Sequence, residues 1–153
     1  MSIAKQYEVL EDLMNKNKDD EINEVFRKIL EDTFKLVNEK IENEKTLDVN
    51  DPEEAAAIRA MFEYMLELWD EQAIDEAKAV GYDMVYLVDD KKLKEMFSMF
   101  VIGMLAGLSL DEFFEKYVKA DKVYKDMFFA EFDDKIDDLV IKYKDKFKEE
   151  FSS

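Results

Sequence analysis

The stretch MFSMFVIGMLAGL, residues 96–108, decides the fold. Apolar side chains occupy it nearly all the way round a helical wheel, so a helix here is buried on most sides. It cannot cross a bilayer. The apolar run from 96 to 110 is broken by Ser98 and falls short of the roughly 20 residues that a span needs. Gly103 and Gly107 are four residues apart, and in so short a run that spacing marks close packing followed by a helix cap rather than a membrane dimer. The stretch predicts the central helix of a bundle.

Working outward, Asp89 or Asp90 begins this central helix and Gly107 ends it. Ser109 with Glu112 spells a capping box for a short helix that follows. Asp121 can cap a last helix, to about Glu150, with Phe128, Phe132, Ile136, Leu139, Tyr143 and Phe147 on its apolar face. On the other side, residues 84–88 (MVYLV) read as a strand, a helical turn or a loop. A lone strand has no partner here, which favours a buried connector or turn. Further back, Asn50 or Asp51 caps a helix with Pro52 in its first turn and Glu53 and Glu54 at its positive end. Gly81 is the expected C-terminal glycine of that helix. The segment TLDVNDP, with residues 46–51 as its linker, separates it from two N-terminal helices. One of these carries Ile3, Tyr7, Leu10 and Met14 at helical spacing. The other carries Ile22, Phe26, Ile29, Leu30, Phe34, Val37 and Ile41. The prediction is a single all-α domain over residues 1–153, a compact bundle of five or six helices with Trp69 at least partly buried.

Composition supports this reading and removes most chemistry. Apolar residues at 48% allow a substantial core, while Gly 3 and Pro 1 leave little for tight turns or phosphate-cradling loops. Without cysteine there are no disulfides or thiolate nucleophiles, and without histidine the commonest general base and transition-metal ligand are missing. The first residues lack the apolar core of a signal peptide, so a cytoplasmic protein is expected. The net charge is −17, which disfavours direct nucleic-acid binding and anionic membrane surfaces. That charge is concentrated: residues 46–90 hold 13 acids against Arg59 and Lys78, a net of −11.

Within this segment Glu63, Glu67, Asp70, Glu71 and Asp75 fall on one side of a helical wheel, opposite Ile58, Phe62, Met65, Leu66, Trp69, Ala73 and Val80. Like charges at i,i+4 repel by about 0.2–0.5 kcal/mol per pair, so the row costs little and is compatible with a plain solvated face. Its functional reading is a binding ridge for a protein with a basic surface, of inhibitor, immunity or adaptor type, with nucleic-acid mimicry as the sharpest version. A second acidic cluster, Asp133, Asp134, Asp137 and Asp138, points away from the apolar face of the last helix. Its DDxxD spelling resembles the magnesium–diphosphate motif of all-α isoprenoid synthases over five residues, in a chain too short for that fold's cavity.

One enzymatic alternative exists. Glu39 and Glu42, then Glu67 and Asp70, form ExxE followed by ExxD on two successive helices. The pattern resembles the one with which all-α nucleotide pyrophosphohydrolases hold magnesium, and that resemblance implies a metal-dependent hydrolase. Acid-x-x-acid spacing also occurs at Glu8/Glu11, Glu21/Glu24, Asp48/Asp51, Glu112/Glu115 and Asp134/Asp137 in this acidic chain, which lowers its specificity. A third reading is a structural subunit, and assembly with further copies is left open. The leading expectation is a non-enzymatic binding protein with no cofactor.

Overall fold

The computed structural model describes residues 2–119 and 131–152. Among them are seven helices: α1 (Ile3–Asn15), α2 (Asp19–Glu42), α3 (Pro52–Asp70), α4 (Ile74–Leu87), α5 (Lys91–Leu105), α6 (Leu110–Tyr117) and α7 (Ile136–Phe151). A small antiparallel pair, β1 (Val118–Lys119) and β2 (Glu131–Phe132), sets Val118 opposite Phe132 between α6 and α7. The all-α class stands, with seven helices rather than five or six.

The additional helix comes from a break that no glycine announces. The expected helix from Asp51 to Gly81 ends at Asp70, because Gln72 turns left-handed with φ 66°. The Ala73 N–H donates to the Leu68 carbonyl and the Gln72 N–H to the Trp69 carbonyl, both at 2.9 Å. Those two bonds make a Schellman motif with glutamine at the position that glycine usually fills. Asn17 and Glu44 terminate α1 and α2 in the same way, at φ 56° and 55°. Gly107, at φ 77°, terminates α5, where its expected cap lies.

Gly81 has a different role from the expected cap. It sits inside α4, where an added Cβ would lie 2.4 Å from Val101 Cγ2 on α5. Its missing side chain lets the two helices approach. Gly103 is equally crowded, with Phe113 Cδ1 2.4 Å from the same hypothetical carbon. The close packing read from the GxxxG spacing is thus packing inside one molecule.

Several starts behave as the sequence suggests. The Asp51 carboxylate accepts the N–H groups of Glu53 and Glu54 at the head of α3, and Asp90 accepts from Leu93 at the head of α5. Ser109 and Glu112 complete the capping box of α6. Residues 84–87 finish α4, and Val88 forms an isolated parallel bridge with Leu47. The linker is therefore tied down: Leu47 is fully buried and its N–H donates to the Leu87 carbonyl at 2.7 Å. The Asp121 cap and Phe128 lie outside the described residues, and α7 begins at Ile136.

Two apolar clusters hold these elements. The larger gathers Phe62, Met65 and Trp69 of α3, Met84 of α4, Phe97 and Phe100 of α5 and Phe113 of α6. The smaller joins Ile3, Tyr7 and Leu10 of α1 to Ile29 of α2 and Ala57 and Ala60 of α3. Helix α3 is the wall between them.

Candidate functional site

The acidic residues of α3 divide into two groups by what they touch. From its start as far as Glu63 the carboxylates work for the fold. Glu53 accepts the Ile3 and Ala4 N–H groups, one on each oxygen at 2.9 Å, and so satisfies two free donors at the positive end of α1. Glu54 accepts the Asp48 N–H at 3.0 Å and pairs with Lys40 at 3.0 Å. Glu63 receives Arg59 Nε at 2.8 Å and the Tyr7 hydroxyl at 3.2 Å. Arg59 lies over the Tyr7 ring, 4.0 Å from its centroid, and its other end reaches Glu11 at 3.1 Å. Burial, reinforced by the neighbouring Glu63 carboxylate, pushes the Tyr7 phenol far above its ordinary value.

The last two turns of α3 and its C-cap are different. Glu67, Asp70 and Glu71 are exposed, and no basic group among the described residues pairs with them. Partial burial raises the Glu67 carboxyl above its ordinary value, and the Glu71 charge one turn on adds to the effect. Asp75 belongs to the next helix. It is fully exposed in the first turn of α4, 3.8 Å from Lys78. Lys78 itself turns to Glu150 at 3.1 Å, which also accepts the Tyr82 hydroxyl at 3.0 Å and anchors the end of α7 to α4. The predicted row is thus not one helix face. Glu63 is built into the α1–α3 contact, and the other four carboxylates surround the corner where α3 gives way to α4.

The corner also holds acids that sequence spacing does not connect to it. Trp69 Nε1 donates to the Leu108 carbonyl at 3.1 Å and pins the α5–α6 turn against the end of α3. A recess of about 500 Å³ lies there, bordered by Asp70, Gln72 and Ile74 on one side and by Asp111 and Glu112 on the other. Hydrogen bonds from Ser109 hold the Glu112 carboxyl below its ordinary value. The only local sign of this part of the surface is the capping box, which places α6 but says nothing of its neighbour.

The two carboxylate pairs of the magnesium alternative are not brought together. Glu39 borders a shallow recess with Glu53, at the N-terminal end of α3. Glu67 follows Glu53 by about four helical turns, roughly 21 Å along the axis. Among the described residues no three acidic side chains are grouped so as to hold a metal ion. The aspartates at the head of α7 are not a cluster of that kind either: Asp134, Asp137 and Asp138 are exposed, and Asp133 accepts the Lys135 N–H in the turn before the helix.

The fold is all-α apart from the small β1–β2 pair, and acidic groups outnumber basic ones in the chain by 39 to 22. No helix among the described residues is long and apolar enough to cross a membrane. Comparison with protein-family models, curated proteins and solved structures finds no match.

Proposed function

We propose that this protein works without catalysis, by binding a second protein that presents a basic surface to the α3–α4 corner. Glu67, Asp70, Glu71 and Asp75 would make the primary contact, with Asp111 and Glu112 beside them. Glu63 belongs to the proposed surface only as its inner edge, since Arg59 and Tyr7 already hold it. The observation that supports the reading is the division of labour along α3: its carboxylates up to Glu63 are held by the fold, whereas Glu67 and Asp70, with Glu71 at its C-cap, are left to solvent. Uncompensated surface charge steers association with an oppositely charged partner and raises the encounter rate most at low ionic strength.

The test begins with capture of the partner by the immobilised protein in an extract of its source cells, followed by association kinetics with the purified partner at two salt concentrations. Replacing Glu67 and Glu71 together by lysine is expected to lower the association rate roughly tenfold or more in low salt and much less in high salt. Equal association rates for the two forms in low salt would reduce the corner to an ordinary solvated surface.

A further inference from the structure

Helix α1 is attached to the molecule differently from every other helix. Its buried residues, Ile3, Tyr7 and Leu10, belong to the smaller cluster, which shares no residue with the larger one. On the α3 side they meet only Ala56, Ala57 and Ala60, and the larger apolar side chains of the cluster, Phe26, Ile29 and Leu30 among them, come from α2. Its polar attachments lie at identifiable points, one of them the Arg59–Glu11 ion pair at 3.1 Å. Glu53 caps its first turn with both oxygens, Glu63 holds the Tyr7 hydroxyl, Asp32 of α2 accepts Gln6 Nε2 at 2.7 Å, and Arg59 is packed on the Tyr7 ring. The chain that follows, residues 16–18, is exposed and turns through left-handed Asn17.

We infer that α1 is a releasable latch, which lifts from α2 and α3 as a unit while the larger core stays folded, with Glu53 and Glu63 as its two catches. An opening of this kind breaks only the contacts of one small cluster and a handful of hydrogen bonds, so it lies far below global unfolding in free energy. Its consequence is chemical. Release frees Glu63 from Tyr7 and uncovers an apolar strip of Ile29, Ala57 and Ala60. Glu63 stands one turn before Glu67, so on the binding reading above a cationic partner that draws Glu63 away from Arg59 would also loosen α1. The latch itself does not depend on that reading.

Native-state amide hydrogen exchange on the full chain tests it, comparing amides 7–13 of α1 with amides 97–104 of α5. In the wild type, α1 amides are expected to exchange roughly tenfold or more faster than those of α5, and to respond weakly to low concentrations of urea, as a local opening does. Glu53→Ala and Tyr7→Phe are expected to accelerate α1 exchange by a further factor of roughly ten, since each removes hydrogen bonds to a carboxylate. The α5 amides should change by less than about twofold. Coincident rates for the two helices in the wild type, with equal urea dependence, would overturn the inference, and they can be read even where a variant fails to fold. So would variants that accelerate both helices together. The wild-type comparison needs no partner, so failure of the acidic surface to bind one would leave the latch standing.

Discussion

One face of α3 looks onto aromatic rings, where Phe62 packs edge-to-face on Phe97 and Phe100 and Trp69 meets Phe100 and Phe113. The opposite face carries alanines and meets α1 through three apolar side chains and a set of carboxylate hydrogen bonds. The first face gains its stability from large apolar area removed from water, which is non-directional and tolerant of small movements. The second depends on geometry, since a hydrogen bond contributes little net but costs much when one partner is left buried and unpaired. A helix sandwiched in this way couples two parts of unequal strength. It also explains why acidic residues are abundant on α3 without being uniformly available: on the polar face they are consumed by the fold, and past Glu63 they are not.

The largest expected effect lies on the aromatic side. Phe100 is fully buried among Phe62, Trp69, Phe113 and Phe132, so Phe100→Ala should lower global stability by about 3–5 kcal/mol in urea unfolding. A loss no larger than that of Leu10→Ala, on the smaller cluster, would erase the contrast between the two faces. Next comes the contact of α4 with α5. Gly81→Ala forces a methyl group against Val101 and should cost about 1–3 kcal/mol by overpacking, although alanine favours a helix interior. A stabilised Gly81→Ala variant would mean that the two helices separate easily.

A pH dependence separates the faces further. The Tyr7 phenol is held well above its ordinary 10.0 by burial and by Glu63, so above that value the unfolded chain loses a proton that the folded one retains. Its contribution is complete below pH 10 and is lost as pH rises, at about 1.4 kcal/mol per unit while α1 stays docked. Tyr82 is shifted in the same direction by burial and by Glu150, at the junction of α4 and α7. Unfolding at pH 8 and pH 11 should therefore show a smaller alkaline loss in Tyr7→Phe than in the wild type. Equal losses would show that the phenol is solvated.

Much of this architecture is legible in the sequence, and the exceptions share one physical origin. The helical class, the central run at 96–108, the Asp51–Pro52 start and the Ser109–Glu112 box follow from local patterns that act within a few residues. The break at Gln72 does not, because it lacks the glycine or asparagine that usually marks a left-handed helix end, as Gly107 and Asn17 do. Left-handed geometry costs a side chain about 1–2 kcal/mol, so it persists where packing on both sides compels it, and packing is not visible in local spacing. Gly81 misleads for the converse reason: its lack of a side chain serves a neighbouring helix. The acidic row was readable as a set of exposed and near-exposed carboxylates at helical spacing. Arg59 stands one helical turn before Glu63, so that pair lies within reach of local spacing. That Tyr7 would also claim Glu63, and that Asp111 would join Asp70, depend on residues about 40–55 apart in the chain, a separation over which periodicity carries no information.

The central claim is that the fold uses Glu63 and leaves Glu67 and Glu71 free, and urea unfolding at low and high salt tests it most directly. Glu63→Gln should lower stability by about 1 kcal/mol, through loss of the Arg59 pair and weakening of the Tyr7 bond. Glu67→Lys with Glu71→Lys should leave stability unchanged or raise it by a few tenths of a kcal/mol at low salt, by relieving repulsion and placing positive charge at the C-terminus of α3. That gain should fade at high salt. A double variant that loses as much stability as Glu63→Gln would contradict the account, because those carboxylates would then be part of the fold and not a surface held in reserve for a partner.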